Sequence, residues 1–212
     1  MGVYGTRGVK VLTPDEKDKL DTKPRKYGDT NLSIYEIENI ISKSNEFNYI
    51  KNFVAFNVIG SSDNLRIGHE CDVLVCSKAG YLTEIEIKRS FTDFLADFEK
   101  EHDHSSDIIK SFYYCVPLKI KDKVLEYIKN KPEGTTDHRF DAGILVYTED
   151  GNLSTVTLPK PNWYAHKLFI EQKMELMRLD AMRNVKLKEK IIKLTKQSEE
   201  KISTKDEKLT IN

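Results

Sequence analysis

Apolar residues recur along this chain with two different periods, and the places where one period gives way to the other mark its elements. In SIYEIENIISKS, Ile34, Ile37 and Ile41 share one helical face, and Ser33 with Glu36 has the spacing of a capping box, so a helix is expected from Ser33 onward. FVAFNVI (53–59) reads as a buried strand, ECDVLVC (70–76) and YLTEIEIK (81–88) as alternating strands, and SFYYCVP (111–117) and AGILVYT (142–148) as further core strands. Between them TDFLADFEKE, with Phe94, Leu95 and Phe98 on one face, and KIKDKVLEYIKN return to the helical period. The order α, β, β, β, α, β, α, β predicts an α/β fold in which a mixed central sheet is flanked by helices.

Both ends break this pattern. Residues 1–30 mix glycine, proline and charges of both signs without periodicity and are expected to form a loosely ordered arm, leaving 31–160 as the core. From 161 to 212 the chain is proline-free after Pro161 and rich in lysine, glutamate and apolar residues, which predicts a helical C-terminal extension. Leu168, Met174, Met177, Ile191, Ile192 and Leu194 keep no strict heptad. Docking on the body, or on a second subunit as a homo-oligomer, is therefore favoured over a long coiled coil. The last dozen residues, KISTKDEKLTIN, are expected to fray.

Composition narrows the setting. A chain of 212 residues with 39% hydrophobic content can bury a sizeable core. Lysine plus arginine and aspartate plus glutamate both total 34, so any nucleic acid must be met by a local patch. Cys71, Cys76 and Cys115 lack CxxC spacing and sit in apolar runs, which predicts buried thiols in a reducing compartment, with no disulfide and no zinc. No apolar run approaches the ~20 residues needed to span a bilayer, and the start MGVYGTRGVK has no signal-peptide core, so no membrane role and a cytoplasmic location are expected.

The chemistry concentrates in the hairpin formed by ECDVLVC and YLTEIEIK. With Lys78, Ala79 and Gly80 as a three-residue loop, Gly80 takes its left-handed position and Ser77 faces Tyr81. That register sets Asp72 opposite Glu86 and Glu70 opposite Lys88, and gathers Cys71, Val73, Val75, Thr83, Ile85 and Ile87 on the other, mostly apolar face. Opposed residues have Cβ atoms ~4.5–5.5 Å apart, and like charges so placed destabilise the pair unless something neutralises them. A hard, oxygen-seeking ion, Mg²⁺ or Mn²⁺, would do so. Lys88 points to the same side, where an ammonium can orient water and stabilise charge on a phosphate. The plain alternative is that such charges form a solvated face, with Glu70 and Lys88 as a weak ion pair. A central strand, however, should be solvated on neither side.

Asp72 followed on the next strand by Glu86-Ile87-Lys88 resembles the PD-(D/E)XK nuclease superfamily. The surrounding segments CDVLV, EIEIKRSFTDFLADFEKEHDH, IKSFYYCVP and AGILVY resemble its MmcB-like branch of DNA repair proteins over about residues 33–158. The resemblance implies a restriction-endonuclease-like core in which Asp72, Glu86 and the backbone carbonyl of Ile87 bind the metal and Lys88 assists the nucleophilic water. It also implies that a glutamate of the first helix completes the site. Glu38 is preferred, because the capping box accounts for Glu36. Ser90 is read as a helix cap. The HDH run of His102, Asp103 and His104 is read as solvated before it is read as ligating, although the resemblance allows His104 a role near the scissile phosphate or in fold closure. His69 is taken to flank its strand. Arg89, Lys100, His104 and Lys110 are the candidate DNA contacts near the site, whereas Lys119, Lys121, Lys123 and the basic stretch from Arg183 to Lys196 are read first as helix surface.

Three functions fit. The first is a Mg²⁺- or Mn²⁺-dependent DNA nuclease in repair, recombination or phage DNA processing. The second is a catalytically silent nucleic-acid-binding protein of the same fold, and the third a non-enzymatic assembly protein working through its C-terminal helix.

Overall fold

A computed structural model describes residues 28–59, 64–102 and 104–209, without side-chain detail at Ile59 and beyond Gln197. The expected N-terminal arm thus lies outside the described residues except for 28–30. Helix α1 (Ile34–Lys43) is followed by strands β1 (Phe53–Ile59), β2 (Glu70–Cys76) and β3 (Leu82–Ile87), helix α2 (Phe91–Asp97), strand β4 (Ile109–Pro117), helix α3 (Lys121–Lys129), strands β5 (Gly143–Tyr147) and β6 (Leu153–Thr157), and helix α4 (Ile170–Leu209). The six strands form one sheet in sequence order, β1 to β6. Pairings β1–β2, β2–β3 and β5–β6 are antiparallel, whereas β3–β4 and β4–β5 are parallel, with α2 and α3 as their crossovers. An α/β fold with a mixed sheet flanked by helices and a C-terminal helix is what the periodicity predicts.

Strand β6 was not expected. LSTVT is largely exposed, so its single-faced contact with β5 leaves no apolar alternation to read. The capping box of α1 is formed, with Ser33 N donating to Glu36 Oε2 at 2.6 Å and Glu36 N donating to Ser33 Oγ at 3.3 Å. Ser90 caps α2 by accepting from Asp93 N at 3.0 Å. The tail remains helical to Leu209 where fraying was expected from Lys201, in keeping with a stretch free of glycine and proline.

The sheet divides the core. Beneath α1, Ile37 and Ile41 meet Val73, Val75, Ile85, Ile87, Tyr113, Cys115, Leu145 and Tyr147 in an apolar layer. The opposite face carries two separate clusters. One packs Leu74, Cys76 and Leu82 against Leu168 and Leu176, so the C-terminal helix docks by its first turns. The other packs Phe94 and Val124 onto Phe112, Tyr114 and Val116. No helix among the described residues is long and apolar enough to cross a membrane.

Candidate active site

Between those two clusters lies a band of buried charge whose origin is the β2–β3 hairpin. Gly80 has φ +90°, Gly80 N donates to Ser77 O at 2.8 Å, and Ser77 N donates to Tyr81 O at 2.9 Å, as the three-residue loop requires. The paired residues Cys76↔Leu82, Val75↔Thr83, Leu74↔Glu84 and Val73↔Ile85 follow the expected register. One residue further on, side chains replace the ladder. Asp72 Oδ2 accepts from Ile87 N at 2.8 Å, and Glu86 Oε1 accepts from Asp72 N at 3.4 Å. Each carboxylate therefore reaches the backbone of the opposite strand, which brings Asp72 and Glu86 together at the end of the hairpin.

Lys88 completes the group. Its Nζ lies 3.2 Å from Glu86 Oε2 and 2.7 Å from Asp97 Oδ1, and only 3% of the residue is exposed. Burial alone would lower the ammonium's pKa, but Glu86 and Asp97 outweigh it and hold Lys88 firmly protonated. Burial and the neighbouring Glu86 push the Asp72 carboxyl up to about 7, against the opposing bond from Ile87 and the charge of Lys88. This pair of carboxylates is short of positive charge, which is the condition a divalent ion with oxygen ligands relieves.

Glu38 comes into the same neighbourhood. It is buried on α1, and Asn57 donates to its Oε1 at 2.5 Å. Asn57 stands at φ +49°, skipped by the ladder between Phe56↔Val73 and Val58↔Cys71, and in that register it falls across from Asp72. Asparagine tolerates this left-handed conformation better than other residues with a side chain. Burial raises the Glu38 pKa, Asn57 and Arg183 lower it, and Asp72 raises it, so the two carboxyls sense each other.

Several side chains are placed otherwise than the sequence suggested. Glu70 is exposed and paired with Ile59 at the strand end, and Lys88 takes Asp97 as its partner instead. Cys71 packs with Leu74 and Cys76, across the sheet from Val73, the alternation breaking at Asp72 and the left-handed Asn57, the position the β1–β2 ladder skips. His104 is buried rather than solvated. Its ring stacks on Phe112, and its nitrogens contact Asp97 Oδ2 at 3.0 Å and Glu84 Oε1 at 2.7 Å, which leaves no nitrogen for a phosphate. Burial lowers its pKa, but these two carboxylates raise it to about 9. His102 is half-buried and Asp103 falls outside the described residues. His69 does precede β2, but its ring turns inward, Nε2 lying 2.7 Å from Glu84 Oε1.

Of the basic candidates, Lys100 reaches Asp97 at 2.7 Å while its side chain remains 45% exposed, and Arg89 follows Lys88 in the chain and lines an open cleft. Lys110 is remote. It donates to Asn162 O at 2.8 Å and covers the Trp163 ring, at the N-terminal end of β4 beside Leu82. At about 3.3 Å per residue that is roughly 20 Å along the sheet from Lys88. An open cleft of about 760 Å³, lined by Gly28, Asp29, Arg89, Ser90, Thr92, Asp93 and Ala96, begins at the residue after Lys88.

Four members of the site escaped sequence reasoning: Asp97, Glu84, Tyr114 and Asn57. Asp97 accepts from Tyr114 O–H at 2.7 Å besides its contacts with Lys88, Lys100 and His104, which together hold its pKa well below the carboxylate range despite burial. Its signal was present, since Asp97 lies one helical turn after the buried Phe94. Glu84 was equally legible as the residue between Leu82 and Glu86 on one face of a central strand.

No family model matches the chain, and no curated protein matches it. Among solved structures it is similar to the SPO1766 protein of unknown function from Silicibacter pomeroyi, with 14% identity, a TM-score of 0.49, and coverage of 74% of this chain and 90% of that one.

Proposed function

We propose that the chain is a Mg²⁺- or Mn²⁺-dependent nuclease that hydrolyses DNA phosphodiester bonds, on a core of the restriction-endonuclease-like kind. The observation that carries this reading is the convergence of Asp72, Glu86 and Lys88 at the end of one hairpin. The resemblance of these residues to the PD-(D/E)XK pattern supplies the substrate class.

Asp72, Glu86 and the Ile87 carbonyl would hold the ion, with Glu38 at the margin. When bound, a divalent ion supplies Lewis-acid polarisation of a phosphoryl oxygen and activation of water. The chain's own residues do the rest. Lys88, held protonated, orients the attacking water and faces the charge that develops on the phosphate. Asp97, fixed by Tyr114, His104 and Lys100, positions the Lys88 ammonium. Arg89 at the cleft and the partly exposed Lys100 are the basic groups within reach of a DNA backbone.

The test is cleavage of plasmid, single-stranded and branched DNA with Mg²⁺ or Mn²⁺ by the wild type, Glu86→Ala and Lys88→Ala. Turnover in the wild type with a loss of about 10²-fold or more in both variants is expected. Equal rates in all three would end the assignment.

The distal half of α4 favours a second, compatible reading. Met182, Val185, Ile191, Ile192 and Leu194 are exposed along it, which suits association with a second copy of the chain. Light scattering of the full chain against one ending at Lys186 tests this, a dimer reduced to a monomer being the expected outcome.

A further inference from the structure

The group formed by His69, His104 and Glu84 is separate in chemistry from the oxygen-rich pair of Asp72 and Glu86. We propose that it is a second metal site, built for a borderline divalent transition ion of which Zn²⁺ is the reference case.

The hydrogen bonds determine where the ring protons sit. His69 Nδ1 is 3.0 Å from Ile67 O, a carbonyl that can only accept, so Nδ1 carries the proton. His104 Nε2 is 3.0 Å from Asp97 Oδ2, so Nε2 carries its proton. The other two nitrogens, His69 Nε2 and His104 Nδ1, are 3.2 Å apart, and each is 2.7 Å from the same atom, Glu84 Oε1. In the metal-free protein protons bridge these nitrogens to Glu84 Oε1, and an ion that displaces them meets two imidazole lone pairs and a carboxylate oxygen converging on one point. A histidine that ligates a metal ordinarily donates its other N–H to a carbonyl or a carboxylate. Both outer acceptors are in place here, Ile67 O for one ring and Asp97 for the other.

Glu84 supplies the second observation. Its side chain is fully buried, and Oε2 has no hydrogen-bond partner among the described residues. A carboxylate with one oxygen crowded by two imidazoles and the other unmatched is poorly served by hydrogen bonds alone. A tetrahedral ion with bonds of about 2.0–2.1 Å holds its ligand atoms roughly 3.3 Å apart, so the three atoms need to move outward by only about half an ångström.

Further donors flank the group. The His102 ring stacks on His69 with centroids 4.7 Å apart, and its ligand atom lies within 4.8 Å of those of His69 and His104. The thiol of Cys71 is within 4.8 Å of the ligand atoms of His69 and Glu84. Imidazole nitrogen with a thiol nearby selects Zn²⁺ over Mg²⁺. The cysteine spacings, which argue against zinc, miss this site because its members are 15 and 35 residues apart. His69 ends the connection before β2, His104 lies in the connection after α2, and Glu84 is on β3, so one ion would bind two loops to the central strand. Full burial of His104 and Glu84 suits a closed, structural site.

The experiment uses the full chain, stripped of metal and titrated with Zn²⁺ in excess Mg²⁺ against a chromophoric chelator. One Zn²⁺ per chain is expected. Affinity should fall by more than 100-fold in His69→Gln and in His104→Gln, and about 10–100-fold in Asp97→Asn, which weakens the outer acceptor of His104 without removing a ligand. Asp72→Asn should leave Zn²⁺ affinity unchanged, so this test stands or falls independently of the nuclease reading. Substitution with Co²⁺ should give the intense visible bands of a four-coordinate site in the wild type. A near-ultraviolet charge-transfer band lost in Cys71→Ser would make that thiol the fourth ligand, and a four-coordinate spectrum without it would give the place to His102 or water. Absence of Zn²⁺ binding by the wild type, a six-coordinate Co²⁺ spectrum, or unchanged affinity in His69→Gln would each overturn the proposal and leave a proton-bridged cluster. The wild-type spectrum and the His69 variant keep this decision open to experiment if His104→Gln fails to fold.

Discussion

Strand β3 presents two faces that are equally buried and held by different forces. Ile85 and Ile87 enter the apolar layer under α1, where stability follows the area removed from water. Leu82, Glu84 and Glu86 enter the other side, where Glu84 and Glu86 are 0% and 4% exposed and lie between the two apolar clusters. There each charge is tolerated only because an opposite charge or a hydrogen bond faces it. The apolar face can absorb a change of shape. The charged face must keep its partners, and that makes it responsive to pH and cations.

The largest effect should separate the two faces directly. Lys88→Met leaves Glu86 and Asp97 without their shared cation, and loss of one partner from such a buried group destabilises by about 3–5 kcal/mol. Ile85→Ala opens a cavity in the apolar layer and should destabilise by about 2–5 kcal/mol. Their pH dependence distinguishes them. The Lys88 deficit should narrow as pH falls below about 7, where Asp72, whose charge Lys88 also offsets, takes up its proton, whereas the Ile85 deficit should persist. Urea unfolding near neutrality and in mild acid measures both. A Lys88 deficit that stayed constant with pH would mean that shape, not charge, holds this face.

The apolar face was legible in the sequence and the charged one only in part, for a physical reason. Alternation within one strand and a turn glycine sufficed to pair Asp72 with Glu86, since both signals are local. Asp97, His104 and Tyr114 join the group through a helix, a loop and a parallel crossover, and their spacing along the chain carries no trace of that meeting. The mistaken pairing of Glu70 with Lys88 has the same root. It extended the ladder through Asp72, although the carboxylate of Asp72 had already replaced the ladder's acceptor. Strand β6 was missed because an exposed strand of serine and threonine shows no alternation.

A smaller effect should come from Asp72 in the metal-free protein. Its folded pKa of about 7 lies above the ordinary 3.8, so the native state binds more protons than the unfolded one between those values. Stability contributed at Asp72 is therefore present in acid and is lost as pH rises toward 7. Asp72→Asn keeps an acceptor for Ile87 N and has no charge to lose. The variant should melt above the wild type at pH 8, and its advantage should vanish near pH 4. Added Mg²⁺ should reverse the order at pH 8, because only the carboxylate gains from the ion. A wild type that melts higher at pH 8 without metal would show that Asp72 is adequately neutralised by Lys88 alone.

The smallest effect belongs to Glu70, and it sharpens the contrast with Glu84. Both are glutamates on paired strands of one hairpin, but Glu70 is exposed at the start of β2, whereas Glu84 is enclosed with two histidines against it. Surface charge is screened by water and salt, so Glu70→Ala should alter stability by no more than about 0.5 kcal/mol and leave Mn²⁺ and Zn²⁺ affinities unchanged. Glu84→Gln should disturb thermal stability and Zn²⁺ affinity together, because its carboxylate is what the two imidazoles share. Melting curves and chelator competition on the two variants give the comparison. If Glu70→Ala weakened metal binding as much as Glu84→Gln, the charged face would extend to the solvent edge, and the line drawn between buried network and solvated rim would have to move to the start of β2.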